Sequence, residues 1–312
     1  MNLSSKIKVA VIRGGPSNEY DVSLKTGEQV LSLLREMPET YEPVDIFISK
    51  DGEWHRGGLV HEPHQTLQHA DVVWNALHGS YGEDGQVQRI LLGLQIPFTG
   101  SSAVSSAMAM NKDIAKRLYR EHSLLTPTHE LITEENLNED RLISIFRNFL
   151  FPVIVKPARR SSGGPANASG FLGVRLVHTF HELKQAIKET FTHSPRVLVE
   201  EFIKGDEASC SVIEEARGEK IYALLPSSKS KFKLKIEENK QIEEMAKRAH
   251  EILGLSHYSS SDFIITPKNK IYILETNSLP ALHKDSLTHY SLQATGWRHC
   301  DFVDHVLKLA MS

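Results

Sequence analysis

Short apolar strands alternate with an amphipathic helix through the first third of the chain, and this alternation limits the fold more than any other feature. The predicted strands are Lys8–Ile12, Pro43–Ile48 and Asp71–Leu77. Between the first two, the apolar residues of a helix share one face; Ser23 is its expected cap and Pro38 ends it. Strand–helix alternation is typical of a parallel sheet covered by helices. The chain is therefore predicted to begin with an α/β domain.

Two glycine-rich turns follow the first and third of these strands. They are GGPSNE at residues 14–19 and HGSYGEDG at residues 78–85. Ligand sites in parallel sheets lie beside the carboxyl ends of strands, so we expect a binding site here. Glu19 and His78 are the candidate functional side chains. Glu19 could instead cap the following helix, and His78 could be a structural residue of its turn.

A second unit begins near Ser101, with Lys112 inside a predicted helix. The strand Pro152–Pro157 leads into a loop, Ala158–Gly173, rich in glycine, serine, alanine and asparagine. Backbone N–H groups of such a loop could bind phosphate, although a surface linker is the ordinary interpretation of this composition. Lys156, between apolar residues and a proline, is expected to be partly buried, and phosphate is a natural partner for a buried lysine.

The segment SSDFIITPKNKIYILETN, residues 260–277, predicts a hairpin with clustered polar side chains. Asp262 lies on its first strand, and Glu275 and Asn277 lie on its second. Residues two apart in a strand share a face, and the tight turn brings the two strands together. Two carboxylates and an amide oxygen suit Mg²⁺, which completes its shell with water and phosphate oxygens. The alternative interpretation is a polar strand end beside a turn.

Composition excludes several classes of protein. A chain of 312 residues has room for two or three domains. Its net charge of −3 gives no general affinity for nucleic acid or anionic membranes. The two cysteines, Cys210 and Cys300, lack metal-ligand spacing and fit a reducing compartment. Without a signal-peptide core or an apolar stretch long enough to span a bilayer, the expected location is cytoplasmic.

Taken in order, eight short motifs resemble the D-alanine–D-alanine ligases of the ATP-grasp superfamily. They are GGPSNEYDVSL from Gly14, ALHGSYGEDGQVQ from Ala76, IPFTGS from Ile96, MNKDIAK from Met110, FPVIVKP from Phe151, VEEFIKGDE from Val199, SDF from Ser261 and ETNSLPALHKDSL from Glu275. Each motif alone is weak, but the ordered set covers nearly the whole chain and is specific. The resemblance implies a Rossmann-like N-terminal α/β domain at 1–102, followed by two α+β ATP-grasp lobes at 103–198 and 199–312.

The resemblance also implies an activity. An enzyme of this family joins two D-alanine molecules through an acyl phosphate made with ATP, a step of peptidoglycan precursor synthesis. Two Mg²⁺ ions, with Mn²⁺ as an alternative, would neutralise charge on the transferred phosphoryl group. The implied partners are ATP and amino acids, with no nucleic acid or membrane, and the implied assembly is a homodimer.

The resemblance also implies a role for particular residues within these motifs. Glu19 would anchor the first amino group, with Ser162 and Ser286 as the other catalytic residues. The substrates would meet His78, Ala281 and Leu287. Lys112 and Lys156 would bind the phosphates of the nucleotide. Its adenine would contact Glu200, Glu201 and Ile203, and its ribose would contact Glu207. The metal ligands would be Asp262, Glu275 and Asn277.

The chain departs from the family pattern at four places. The arginine expected two residues before the first metal aspartate is Ser260, which supplies neither positive charge nor a bidentate fork. The phosphate loop is interrupted, so its serine could be Ser162 or Ser169. SSKSKFKLK, residues 227–235, stands where a long cover loop with tyrosines is expected. Ala281 replaces a glycine but retains its backbone N–H.

These departures leave alternatives open. The chain could be the D-alanine enzyme, a carboxylate–amine ligase with another acceptor, or a degenerate nucleotide-binding regulatory protein. A lysine run adds a related question, because Lys229, Lys231, Lys233 and Lys235 alternate along one segment. The lysines could defend an edge strand against aggregation, or they could cover the triphosphate and replace the charge missing at Ser260.

Overall fold

The first of three sheets is built around parallel strands, as the sequence predicts. The computed structural model describes residues 6–159, 173–228 and 234–312. The strands of this sheet are β1 (Ile7–Gly14), β2 (Tyr41–Ile48), β3 (Trp54–Arg56), β4 (Leu59–His61) and β5 (Val72–Asn75), in the order β4-β3-β2-β1-β5. β1 runs parallel to both β2 and β5. β3 and β4 add an antiparallel extension at one edge.

The helices of this unit are α1 (Tyr20–Arg35), α2 (Pro63–Thr66) and α3 (Gln86–Gly93). α1 begins three residues before the expected cap, Ser23, so that prediction is wrong. The Ser23 hydroxyl instead accepts a hydrogen bond from the Gly14 N–H and donates one to the Ala76 carbonyl, both at 2.8 Å. Ser23 therefore fastens the end of β1 to the chain that leaves β5.

The second sheet is antiparallel and follows two short helices, α4 (Ala103–Met110) and α5 (Lys112–Glu121). Its elements are β6 (His129–Thr133), α6 (Glu139–Asn148), β7 (Val153–Pro157), β8 (Arg175–Val177), α7 (Phe180–Phe191) and β9 (Arg196–Glu201). The strand order is β6-β9-β7-β8. Ile145 of α6 and Leu183 of α7 pack with Val153 and Val199 into one core, so both helices cover the same face.

The third sheet, also antiparallel, has the order β11-β10-β12-β13. Its elements are β10 (Asp206–Ala216), β11 (Glu219–Ala223), α8 (Ile236–Ile252), β12 (Tyr258–Ile265), β13 (Ile271–Asn277), α9 (Leu287–Ala294) and α10 (His299–Ala310). α8 packs on one face, where Ile242 and Ala246 join Cys210 and Phe263 in a core. Tyr119 brings α5 into the same core.

The last helix returns to the first sheet. Phe302 and Val306 of α10 are buried in a cluster with Leu34 of α1 and Trp74 of β5. The predicted boundary at residue 198 falls within β9, and we propose that the boundary between the lobes lies at 202–205, which keeps the second sheet whole. Of the helices that the structure describes, none is both long and apolar enough to cross a bilayer.

Candidate functional site

The two glycine-rich turns meet beside the first sheet. Gly79 has φ = +70°, and a Cβ there would lie 3.2 Å from Glu19 Oε1 and 2.5 Å from Ser17 Oγ. Only glycine allows this close approach in the left-handed region. The Gly79 N–H also donates to Glu83 Oε2 at 2.7 Å. The structure thus brings Glu19 and the turn that carries His78 together.

His78 connects this turn to the far end of the chain. Its side chain is buried, and its Nε2 lies 2.9 Å from the Thr26 hydroxyl. The N–H of Leu282 donates to the same hydroxyl at 3.4 Å. Ala281, a predicted substrate-binding residue, is the neighbour of Leu282, so the N-terminal turns and the segment after β13 form one side of a common site.

The predicted hairpin forms as β12 and β13. Asp262 lies opposite Glu275 and Ser260 opposite Asn277, with a register shift immediately after Asp262. Residues directly opposite in an antiparallel pair project to the same face, so the three predicted metal ligands share a face. They lie in the third sheet on the side away from α8.

A cleft runs between this hairpin and the N-terminal turns. Glu83, Met110, Lys112, Glu275, Asn277 and Ser278 are among the residues that line it. Lys112 Nζ lies 2.5 Å from Glu275 Oε2. Since the described residues contain no group of three His, Cys, Asp or Glu side chains placed to hold a metal, an ion would rely on two carboxylates, an amide oxygen and outside ligands. This donor set fits Mg²⁺, which keeps waters and takes phosphate oxygens.

Lys156 binds a buried carboxylate at the end of the second sheet. Its Nζ donates to Glu200 Oε1 at 2.8 Å. A second lysine, Lys116 of α5, places its Nζ 3.0 Å from Glu200 Oε2 and donates to the Thr126 hydroxyl at 2.9 Å. Burial alone would raise the pKa of Glu200, but Lys156 and Lys116 lower it. Burial lowers the pKa of Lys116 to about 8, although Glu200 opposes that shift.

The two predicted phosphate lysines come from adjoining segments. The Lys112 N–H donates to the Ala158 carbonyl at 2.9 Å, which ties the start of α5 to the chain leaving β7 just after Lys156. The side chains of Lys112 and Lys156 are 12% and 10% exposed. Neither is a solvated surface lysine, and the predicted phosphate role of both stays a prediction.

The other nucleotide candidates lie along β9 and the start of β10. Glu201 is partly exposed, and its Oε2 accepts from the Thr128 N–H at 3.3 Å. Ile203 is buried in the connection that follows. Glu207 is exposed and lies opposite Ile264, which puts it on the same sheet face as Asp262. The predicted nucleotide residues therefore run from the second sheet to the face of the third sheet that carries Asp262.

Ser286 and Leu287 mark the start of α9. The Ser286 hydroxyl accepts from the His289 N–H at 3.2 Å and caps the helix, whose first residue is Leu287. A helix start carries outward N–H groups and partial positive charge, which suits a carboxylate. Ser162 and its alternative Ser169 lie outside the described residues.

Hydroxyl groups surround the position of the missing arginine. Ser260 is buried, and its Oγ lies 2.9 Å from Ser209 Oγ. Ser211 lies opposite Ser260 on β10, and its hydroxyl lies 3.1 Å from that of Thr288 in α9. These side chains satisfy one another by hydrogen bonding, and among the described contacts of Ser260 no cation takes the place of the arginine.

Two residues at the site were not predicted. Glu83 lines the cleft from within the second glycine-rich turn, and Lys116 is fully buried against Glu200. The spacing of Lys116, four residues after Lys112, could have placed both on one helix face. Nothing in the sequence indicated burial, because helix lysines are usually solvated.

Comparisons with known proteins agree with the geometry. A family model described as the C-terminus of D-ala D-ala ligase matches residues 118–232 and 226–308, and the N-terminal model matches residues 8–66 and 59–101. A D-alanine--D-alanine ligase of Geotalea uraniireducens is 31% identical over 97% of this chain and 95% of its own length. One from Clostridium beijerinckii is 30% identical over 97% and 98%.

Solved structures show the same fold. The D-alanine-D-alanine ligase from Coxiella burnetii superposes with a TM-score of 0.85 at 24% identity, covering 99% of this chain and 94% of the other. A D-alanine--D-alanine ligase from Bacillus anthracis, solved in complex with ATP, gives a TM-score of 0.79 at 28% identity, covering 98% and 97%. The expected α/β and ATP-grasp architecture is thereby confirmed.

Proposed function

Because this chain belongs to the D-alanine–D-alanine ligase family, we propose that it joins two D-alanine molecules and couples this step to the cleavage of ATP into ADP and phosphate. One cleft is lined by Lys112, Glu275 and Asn277 and reaches Glu83 of the second N-terminal turn, and this arrangement carries the proposal. It supports the proposal because the residues that would contact phosphate, metal and amino acid line or adjoin the same cleft.

The residues divide the chemistry between them. Lys112 and Lys156 would bind the phosphates of ATP. Their ammonium groups would stabilise the negative charge around the γ-phosphate as the carboxylate of the first D-alanine attacks it. The products of this step are ADP and an acyl phosphate. Glu19 and His78 would hold the first substrate, while the start of α9 at Ser286 would receive the carboxylate of the second. The amine of the second D-alanine then attacks the activated carbonyl, which forms the amide bond and releases phosphate.

Mg²⁺ fits the remaining position. Asp262, Glu275 and Asn277 would hold one or two ions, and such ions neutralise charge that develops on a transferred phosphoryl group. Lys112 already neutralises Glu275, so its ammonium would have to share that carboxylate or turn toward the phosphates when metal binds. We further propose a cytoplasmic enzyme that acts in peptidoglycan precursor synthesis and assembles as a homodimer.

Ser260 favours a second candidate, a ligase with a different acceptor. Removal of one electrostatic group that stabilises an oxyanion commonly costs about 10²–10³ in rate. Ser260 and its neighbours Ser209 and Ser211 are buried, and they place hydroxyl groups without charge where the family has an arginine. D-Serine and D-lactate are suitable probes because each adds or exchanges a hydroxyl relative to D-alanine.

Phosphate release separates these candidates. The chain would be mixed with ATP and Mg²⁺, and with D-alanine alone or paired with D-serine, D-lactate or L-alanine. We expect release that depends on D-alanine and Mg²⁺, together with a dipeptide detected by mass spectrometry. Faster release with a second acceptor would favour the alternative activity. ATP binding without release under any pairing would contradict both and leave a nucleotide-binding regulatory role.

A further inference from the structure

A buried trio of charges, Lys116, Glu200 and Lys156, lies at the junction of α5 with the second sheet. One carboxylate receives two ammonium groups, one at each oxygen, at 2.8 Å and 3.0 Å. The trio has a net charge of +1. Two cations on one buried carboxylate are more than neutralisation requires, since a single lysine would balance Glu200.

The two lysines differ in what else they touch. The side chain of Lys116 is fully buried, and its Nζ also donates to Thr126, whose hydroxyl donates to the Ile273 carbonyl of β13. Lys116 is therefore held between two lobes. Lys156 is 10% exposed at the strand end, and Glu200 is the hydrogen-bond partner that the structure gives its Nζ. Of the two, Lys156 therefore has the exposure that an exchange of partner requires, while Lys116 is enclosed and has a second partner.

Without Lys116, movement of Lys156 toward a phosphate would leave the buried Glu200 carboxylate without a counter-ion. An ionised carboxylate that loses its only buried counter-ion is strongly destabilised. With Lys116 in place, Glu200 keeps one cation after Lys156 turns away. We propose that Lys116 is a positioning residue that balances Glu200 and so releases Lys156 to bind the nucleotide phosphates. This inference rests on the proposed function for the nucleotide site alone, not for the acceptor.

Four proteins test it: the wild type, Lys116→Met, Glu200→Gln and the double variant. ATP and adenosine would each compete against a fluorescent ATP analogue, because adenosine has no phosphate to recruit Lys156. We expect Lys116→Met to weaken the binding of ATP by about tenfold or more and the binding of adenosine by less than about twofold. Lys184→Met, which removes an exposed ion pair with Glu139 in the same lobe, is the control and should change neither.

The double variant gives the decisive comparison. When residue 200 is a neutral glutamine, Lys156 can turn to the phosphates without leaving an unpaired buried carboxylate, so Lys116 is no longer needed as a counter-ion. The double variant should therefore bind ATP as tightly as Glu200→Gln alone. If Lys116 had only a structural role, Lys116→Met would weaken the binding of ATP and of adenosine equally, and the double variant would bind both more weakly than Glu200→Gln. Either result, or an unchanged ATP affinity in Lys116→Met, would overturn the inference. Should Lys116→Met fail to fold, the comparison within the Glu200→Gln background decides alone.

The outcomes also separate this inference from the proposed function. A wild-type chain that binds ATP but releases no phosphate with any acceptor contradicts the ligase activity, while the binding comparison still decides the role of Lys116. A wild-type chain that does not bind ATP contradicts both. If phosphate release is normal and Lys116→Met binds ATP unchanged, only the positioning role is wrong.

Discussion

At the positions proposed for ATP and metal, individual charged side chains already form ion pairs with one another. Lys112 pairs with Glu275, and Lys156 pairs with Glu200. A triphosphate would compete for both lysines, and a cation would compete for Glu275. Each exchange replaces one ion pair by another, so the net gain on binding is smaller than the number of new contacts suggests.

Glu275 is the proposed metal ligand that pairs with Lys112, and its substitution is the most direct test of the proposed metal site. We expect Glu275→Ala to lower Mg²⁺-dependent phosphate release by at least about 100-fold. The fold should survive because the side chain is partly exposed at the cleft. Steady-state phosphate release and thermal unfolding would measure the two effects. Glu251→Ala, at an exposed glutamate paired with Lys220, is the control, and turnover close to wild type in Glu275→Ala would remove the metal assignment.

Strand periodicity predicts that Glu275 and Asn277 share a face, because strand geometry fixes which residues project together. Asp262 joins that face through the register shift immediately after it, which periodicity does not indicate. Periodicity also could not predict the partners of these residues. Lys116 is four residues from Lys112, yet only the packing of α5 against β9 and β13 buries it. Partners that come from distant segments depend on tertiary structure, which local pattern does not encode.

At the scale of elements, the main differences from prediction lie where helices and strands are short. One predicted helix through Lys112 is two, because Asn111 leaves the helical region and its side chain accepts from the Ile114 N–H to begin α5. This break places Lys112 at a helix start beside the cleft. β3 and β4, of three residues each, are too short for a periodic signal.

The lysine segment is an element-scale prediction that stays open. Lys229, Lys231 and Lys233 lie outside the described residues, while Lys235 precedes α8 and contacts Glu238 and Asn269. We expect Lys235→Gln to leave turnover unchanged, since Asn269 is in the hairpin turn far along the strands from Asp262. Glutamine at each of the other three in turn, with phosphate release measured, distinguishes the two interpretations.

A decrease of more than about twofold for any one of those three would favour a cover over the triphosphate. That decrease should shrink as salt is raised, because exposed charge is screened. If all four variants keep wild-type turnover, the segment is a solvated edge and nothing compensates for Ser260.

The junction between the first sheet and α8 depends on a neutral histidine. The Gly100 N–H donates to His257 Nδ1 at 3.0 Å, and burial lowers the pKa of His257 although Glu214 opposes that shift and His250 adds to it. A ring with a depressed folded-state pKa stabilises the fold fully above its unfolded value of about 6.5, and this contribution is lost as pH falls below it.

The free energy of unfolding should therefore fall between about pH 7.5 and 5.5, as urea titrations would show. His257→Asn, which tolerates the left-handed backbone at this position (φ = +66°), should have a smaller pH-dependent loss than the wild type. Equal losses in the two proteins would assign the pH dependence to other groups.

The whole molecule is joined by a core that includes both ends of the chain. Phe302 of α10 packs edge-on against Tyr258 of β12 and Trp74 of β5, with ring centroids 5.5 Å and 6.4 Å apart. The first and third sheets thus share one hydrophobic cluster. α10 follows the third sheet in sequence and covers the first in space, so this cluster joins residues from the first and third of the predicted domains.

Phe302→Ala should destabilise the protein by about 3–5 kcal/mol through lost burial and a cavity. Denaturant unfolding followed by tryptophan fluorescence would measure this, since Trp74 is in the same cluster. Phe146→Ala, at a partly exposed aromatic of α6, is the matched control and should cost much less. A loss below about 1 kcal/mol for Phe302→Ala would show that α10 contributes little to the first sheet.

The return of α10 to the first sheet also sets an order of events during synthesis. β1 leaves the ribosome long before the helix that covers β5, because about 290 positions separate the start of β1 from α10. At about 5–20 residues per second, Leu34 and Trp74 would wait roughly 10–55 s for Phe302 and Val306. Until then this apolar surface is available to chaperones, so a nascent chain arrested before residue 299 should bind them more persistently than the finished protein.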